Sequence, residues 1–321
     1  MSSNTEKALI FGGAGFIGTR LARHLQTRDA DVTIADLEAP SAGTRACRID
    51  VRQPIPDDLA ADADTTIYLL AAVHRTPGHA DAEYFATNLH GVRNVVRFAV
   101  AHDVRRIVFT SSIAVYGPGE DPKDETVQPE PVSAYGWSKL LAEEVLQDWR
   151  AGAADRQLVI ARPAVVFGPG EQGNFTRLAA ALRRRMFAYP GRRDTIKGCC
   201  FVDDLIDSFN FALQAGQPEL LYNFAYPEAY TIEAICKAFH DIGGLPSPIG
   251  HVPKPAISTL GWSGEALSRI GVNTGVNRAR IAKLTRSTHI APRRLVDMGY
   301  RFPTDLPRGL AAWQAEAGSF Q

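Results

Sequence analysis

The stretch "IFGGAGFIGTR" (Ile10–Arg20) carries three evenly spaced glycines, Gly12, Gly15 and Gly18, and Gly13, Gly15 and Gly18 also satisfy G-x-G-x-x-G. It follows the apolar run "KALIF" and opens a segment where Ile17, Leu21 and Leu25 recur at a spacing of four, so the glycines lie between a strand and an amphipathic helix. Each glycine has a physical role in that place. One permits a tight turn, one lets the backbone approach a pyrophosphate, and Gly18 lets helix pack on strand. The N–H groups at the helix start, around Phe16 and Ile17, add a partial positive charge suited to an anion. Asp36 closes the second apolar run, eighteen residues past Gly18. A carboxylate there accepts from both adenosine ribose hydroxyls and repels a 2′-phosphate, so the expected cofactor is NAD. Arg45 and Arg48 follow and keep NADP open as the alternative.

Outward from this turn, short apolar runs alternate with helical periodicity. "KALIF", "DVTIAD", "TTIYLLAAV", "RRIVFTSS" and "QLVIARP" read as strands, and "NLHGVRNVVRFAVAH" and "WSKLLAEEVLQDW" as helices between them. That rhythm predicts an α/β fold, a doubly wound parallel sheet of Rossmann type. After about Gly168 it breaks into Pro- and Gly-rich loops, short helices and one more strand, "LLYNFA", a smaller C-terminal α/β lobe for substrate. The expected division is a cofactor-binding domain over 1–167, with about 198–226 returning to it, and a substrate lobe over 168–197 and 227–321.

With Lys+Arg and Asp+Glu both at 35, the chain is electrically balanced, which removes the main argument for nucleic acid or an acidic membrane as partner and favours a small molecule. No apolar run is long enough to span a bilayer, and the start "MSSNTEKALIF" has no apolar signal core; a cytoplasmic protein is expected. Cys47, Cys199, Cys200 and Cys236 form no CxxC pair and no zinc spacing, so neither disulfide nor metal is predicted.

"TSSIAVYG" ends the fourth strand at Ser111 and Ser112, at the carboxyl edge where ligands bind in open α/β sheets, and "YGWSK" places Tyr135 and Lys139 one helical turn apart. Together with "GGAGFIG", Asp36 and "FVDDL", these motifs resemble the extended short-chain dehydrogenase/reductase family, in its NAD-dependent nucleotide-sugar epimerase/dehydratase branch, over essentially the whole chain. The resemblance implies a seven-stranded sheet, NAD in the cleft, a nucleotide-diphosphate sugar on the second lobe, and a homodimer built through the two long helices. It implies Ser112, Tyr135 and Lys139 as the catalytic triad, with Ser111 at the strand end beside the cofactor. It assigns Asp50 and Val51 to the adenine edge, Leu70, Ala71 and Ala72 to the adenosine ribose, and Pro163 and Val165 to the nicotinamide pocket. His74, Arg75, Asn174, Arg192 or Arg193, and Lys197 become substrate candidates, while Asn88 ties elements together and the arginines at 183 to 185 read as a solvated face.

Those residue types suit hydride transfer. A sugar hydroxyl must lose its proton as hydride leaves its carbon, and a free tyrosine with a pKa near ~10 needs about 4 kcal/mol of differential stabilisation to act as a base near neutrality. Lys139 supplies one positive charge, and Ser112 holds the reacting oxygen. Ile113 and Ala114 stand where the dehydratases of this branch carry an Asp-Glu pair, and neither moves a proton. Val165 and Phe167 replace a common asparagine and tyrosine in "RPAVVFGPG". The expected reaction is therefore 4-epimerisation by transient oxidation at C4 and re-reduction on the other face. A net ketoreductase or dehydrogenase is the alternative.

Overall fold

A computed structural model describes residues 5–38, 45–75, 78–253 and 285–320; part of the expected substrate lobe, 254–284, lies outside the described residues. In chain order the elements are β1 (Lys7–Phe11), α1 (Phe16–Gln26), β2 (Asp31–Asp36), β3 (Arg45–Arg48), β4 (Thr65–Leu69), α2 (Asp81–Tyr84), a π-helical turn (Phe85–His90), α3 (Gly91–Ala101), β5 (Arg106–Thr110), β6 (Gly119–Lys123) and α4 (Ala134–Ala151). There follow β7 (Gln157–Pro163), β8 (Val165–Phe167), α5 (Asn174–Arg183), β9 (Tyr189–Pro190), β10 (Cys199–Phe201), α6 (Val202–Gln214), β11 (Glu219–Phe224), α7 (Ile232–Gly243), β12 (His251–Val252), β13 (Thr288–Ile290) and two closing helices, Arg293–Asp297 and Leu306–Ala317.

Seven strands form one parallel sheet in the order β11-β7-β5-β4-β1-β2-β3. Central strands of such a sheet are covered on both faces and so are apolar throughout. In β1, Ala8 and Ile10 join the core on one face while Leu9 and Phe11 join the core on the other. The expected Rossmann fold is present, and β11, from "LLYNFA", completes its edge beside β7. β3 was not foreseen.

The chain runs outward from β1 through β2 to β3, then crosses to β4 on the other side of β1. The crevice at that reversal is where ligands bind in open α/β sheets. Two loops meet there. Gly12 adopts φ 84°, and a Cβ on it would lie 2.5 Å from the Ala71 backbone nitrogen; one on Gly18 would lie 2.4 Å from the Gly12 carbonyl oxygen. Only glycine lets the first turn press this closely on the loop after β4.

The C-terminal part shares a core with one face of the sheet. Phe167 stacks on Phe175 with centroids 4.5 Å apart and lies 6.4 Å from Trp313 of the Leu306–Ala317 helix. Arg20 on α1 is clasped by Asp203 (2.6 Å) and Glu316 (2.8 Å). Buried Asp204 accepts from the Thr304 hydroxyl at 2.7 Å, so the "VDD" segment braces α6 against the chain that follows.

Candidate active site

α1 begins at Gly15 with no side-chain cap and no carboxylate in its first turn, which leaves its N–H groups facing the crevice uncompensated. Asp36, at the end of β2, accepts from the Ala14 N–H at 2.9 Å and so sits against the glycine turn. Arg45 pairs with Asp31 at 3.7 Å, whereas Arg48 stands opposite Asp36 in the β2–β3 register. An open helix N-terminus, a backbone-tight glycine turn and a carboxylate beside it fit a dinucleotide bearing a free 2′-hydroxyl.

The other proposed cofactor residues line or support the same edge. Leu70 donates its N–H to Phe11 at 2.9 Å, which leads Ala71 and Ala72 across the top of β1. Asp50 holds Arg52 at 2.7 Å, and this pairing keeps its carboxyl below the usual range. Buried Val51 packs under Gly91, where a Cβ would meet its side chain at 2.8 Å. Pro163 ends β7 and Val165 opens β8 with an N–H bond to Gly198 at 3.2 Å. Ser111 is buried, and its hydroxyl donates to Glu143, turned away from the mouth of the cleft.

Ser112 leaves β5 and caps the short turn Ile113–Tyr116, accepting from Ala114 N–H at 3.2 Å. Tyr135 and Lys139 project from α4, which Ser133 caps by accepting from Gly136 N–H at 3.1 Å. Tyr135 and Ser112 act on one another: burial raises the phenol above its ordinary value and the neighbouring serine opposes this. Lys139 is 2% exposed, donates to the Thr110 carbonyl at 2.8 Å and lies 4.8 Å above the Phe109 ring. Burial pushes its ammonium down to about 7, with Glu143 pulling the other way. Serine, tyrosine and lysine thus meet at the carboxyl ends of β4 and β5.

Further partners surround these residues, and of them only Asn88 had been singled out from sequence. Asn88, in the π-helical turn, receives Val73 N–H at 2.8 Å and donates to Val73 O at 3.0 Å and Ser138 Oγ at 2.9 Å; Ser138 in turn donates to the Tyr135 carbonyl at 2.8 Å. The tying role expected of Asn88 is thereby realised. Tyr84 lies with its ring 6.0 Å from that of Tyr135 and donates to the Arg75 carbonyl. Beneath the triad, Arg162 forms a fork to Glu143 (2.9 and 2.6 Å) and donates to Tyr116 Oη at 2.7 Å, which donates to Asn223 at 2.9 Å. Arg162 and Glu143 are 4% and 2% exposed, so the pair is fully desolvated. An arginine inside the otherwise apolar "QLVIARP" was the available signal, because a buried guanidinium demands a carboxylate.

The substrate candidates divide. His74 and Arg75 stand at the cleft mouth, where partial enclosure and the charges of Lys139 and Arg75 hold the imidazole below its usual value. Asn174 is exposed at the first turn of α5. Arg192 is engaged by Glu120 and Ser287 (2.9 Å), and Lys197 donates to the Arg286 carbonyl at 2.7 Å, with burial pushing its ammonium down to about 8. This second cluster joins β6, the segment before β10 and the strand β13. No hydrogen bond or ion pair described for Arg192 reaches Ser112, Tyr135 or Lys139.

A parallel sheet with an open anion-binding turn and a Ser-Tyr-Lys constellation around a buried lysine defines a nucleotide-dependent enzyme of the short-chain dehydrogenase type. The profile of the NAD dependent epimerase/dehydratase family matches residues 8–225, and the chain belongs to that family. An N-acetyl-alpha-D-glucosaminyl-diphospho-ditrans,octacis-undecaprenol 4-epimerase from Escherichia coli O157:H7 is 30% identical over 95% of this chain and 93% of its own. Among solved structures, MoeE5 in complex with UDP-glucose and NAD shares the fold at TM-score 0.76 and 23% identity, covering 98% of this chain and 100% of its own. The UDP-Glc/GlcNAc 4-epimerase from Campylobacter jejuni does so at TM-score 0.74 and 18% identity, over 97% and 100%.

Proposed function

We propose that this NAD-dependent enzyme is a 4-epimerase of diphosphate-linked sugars, with a nucleotide sugar as substrate. The observation that carries the reading is the meeting of Ser112, at the end of β5, with Tyr135 and Lys139 of α4, the buried lysine being tied to the Thr110 carbonyl at 2.8 Å. Gly12, Gly15, Gly18 and Asp36 would hold NAD, which would supply a reversible hydride acceptor and a positively charged ring. Tyr135 takes the proton of the C4 hydroxyl and later returns one to the same oxygen. Ser112 donates to that oxygen and fixes its position. Lys139 stabilises the phenolate, and the Glu143–Arg162 fork keeps its helix seated on the sheet. Ile113 and Ala114 offer no second acid or base, which favours epimerisation over loss of water.

The 4-epimerase name of a relative matching nearly the full chain supports this outcome over net oxidation. That relative's named substrate carries its sugar diphosphate on a polyprenol, so a lipid-linked sugar is the second reading of the carrier. A panel of UDP-, GDP-, dTDP- and CDP-sugars and a polyprenyl-diphosphate sugar, followed by NMR of the products, separates the two. Inversion at C4 with no net absorbance change at 340 nm is expected; one reduced cofactor per product would make the enzyme a net dehydrogenase.

No helix among the described residues is long and apolar enough to cross a membrane. A cytoplasmic homodimer remains our reading. Val100 on α3 and Trp137 on α4, 53% and 47% exposed, support pairing through those helices. Light scattering should give twice the chain mass, and Trp137→Glu should lower it.

A further inference from the structure

Overall neutrality conceals an uneven distribution of charge. Residues 174–190 hold four arginines, Arg177, Arg183, Arg184 and Arg185, and no carboxylate; residues 242–253 hold no carboxylate either. Arg192 and Arg193, a few residues on, are paired with Glu120 and Glu233. Among the described residues no carboxylate pairs with Arg183, Arg184 or Arg185, and all three are exposed.

The backbone places apolar side chains beside these cations. α5 ends at Arg183, and the chain reverses through Arg185 at φ 53°, with Met186 N–H bonded to the Ala181 carbonyl at 2.8 Å. Met186 emerges from this turn 73% exposed. Ile249 donates its N–H to the Phe187 carbonyl at 2.9 Å, one step before the β9–β12 pairing of Tyr189 with His251, which sets Ile249, 64% exposed, alongside Phe187. Half-buried Phe187 packs on the core, and exposed Met186 and Ile249 stand beside it along the backbone, near three exposed arginines.

We infer that this surface attaches the enzyme peripherally to an anionic lipid bilayer, the arginines on lipid phosphates and Met186 and Ile249 entering the boundary between head groups and acyl chains. Guanidinium groups pair with phosphate, and exposed apolar side chains gain from leaving water at such a boundary. A bilayer accepts such a surface without shape complementarity. Single-stranded nucleic acid would need exposed aromatic platforms, and here Phe187 is half-buried and Tyr189 buried. A surface attachment of this kind differs from the absence of a membrane partner expected from net charge, because the local field rather than the total decides binding. It does not depend on the epimerase reading, since its measure is binding to vesicles and not turnover.

The full chain is to be sedimented with vesicles of phosphatidylcholine alone and of phosphatidylcholine with phosphatidylglycerol, at low and high salt. Anionic vesicles should carry it down at low salt and release most of it at high salt. The triple variant Arg183→Glu, Arg184→Glu, Arg185→Glu should bind at least about tenfold more weakly. Met186→Ser with Ile249→Ser should weaken binding several-fold and remove the salt-resistant fraction, both variants melting as the parent does. Failure to sediment with anionic vesicles overturns the inference, as does full binding by the triple variant. Heparin competition with no effect of the apolar pair would overturn it in favour of a general polyanion site. A loss of mass in light scattering by the triple variant, with vesicle binding intact, would make the surface a contact between copies instead.

Discussion

The two polar clusters of the molecule are built on opposite principles. Beneath the triad, Glu143, Arg162, Tyr116, Ser111 and Asn223 come from five separate segments, and none is more than 4% exposed. In the second cluster, Arg192 and Glu120 meet with side chains 33% and 56% exposed. Breaking one partner of a desolvated pair leaves an uncompensated charge in the core, whereas water readily replaces an exposed one. The Ser-Tyr-Lys group thus rests on a desolvated floor, and the second cluster on contacts that can be exchanged at little cost.

The sharpest way to test that contrast begins with the triad itself. Tyr135→Phe should lower kcat by roughly a thousandfold, within the usual range for a general acid–base group, while dinucleotide binding measured by calorimetry stays close to that of the parent. Next in size, Glu143→Gln should cost about 3–5 kcal/mol in denaturant unfolding, since it strands Arg162. Glu143→Leu combined with Arg162→Met should recover most of that loss. If Glu143→Gln cost no more than Glu120→Gln, the difference between floor and surface would vanish.

Gly12→Ala should destabilise by about 1–3 kcal/mol and abolish dinucleotide binding, because its φ of 84° and the 2.5 Å approach to Ala71 leave no room for a methyl group. Lys139 offers a pH test. Its pKa is depressed to about 7 from an ordinary 10.5, so between those values the unfolded chain holds more protons and stability rises with pH through that window. Below about pH 7 both states are protonated and the full cost of burying the ammonium is felt. Lys139→Met should therefore abolish turnover yet raise Tm by about a few degrees near pH 6, the gain shrinking as pH approaches ~10. Smallest of all, Arg192→Ala should change stability by less than about 1 kcal/mol; if Arg192 meets the substrate diphosphate, KM rises and kcat holds.

The same contrast explains what could be read beforehand. Six of the seven sheet strands, the glycine turn and the positions of Asp36, Ser112, Tyr135 and Lys139 were legible because each rests on a short local pattern with a physical reason. β3 escaped notice because "RACR" is an edge strand with no buried alternation, its residues mostly exposed. The apolar run after Thr65 promised a strand reaching Val73, but the chain leaves the sheet at Leu69 to cross over Gly12. The π-helical turn that aims Asn88 has no sequence signature, and the Glu143–Arg162 fork joins residues nineteen apart on different elements. The surroundings of the proposed substrate residues were least legible, since Arg192 and Lys197 meet protein partners 95 and 89 residues away.

A substrate bearing deuterium at C4 decides whether one cleft removes and restores the same hydrogen. Transient oxidation at C4 predicts an inverted product that retains the label, with absorbance at 340 nm unchanged and conversion by Tyr135→Phe slowed roughly a thousandfold. Label lost to solvent, or transferred to cofactor that is then released, would contradict it.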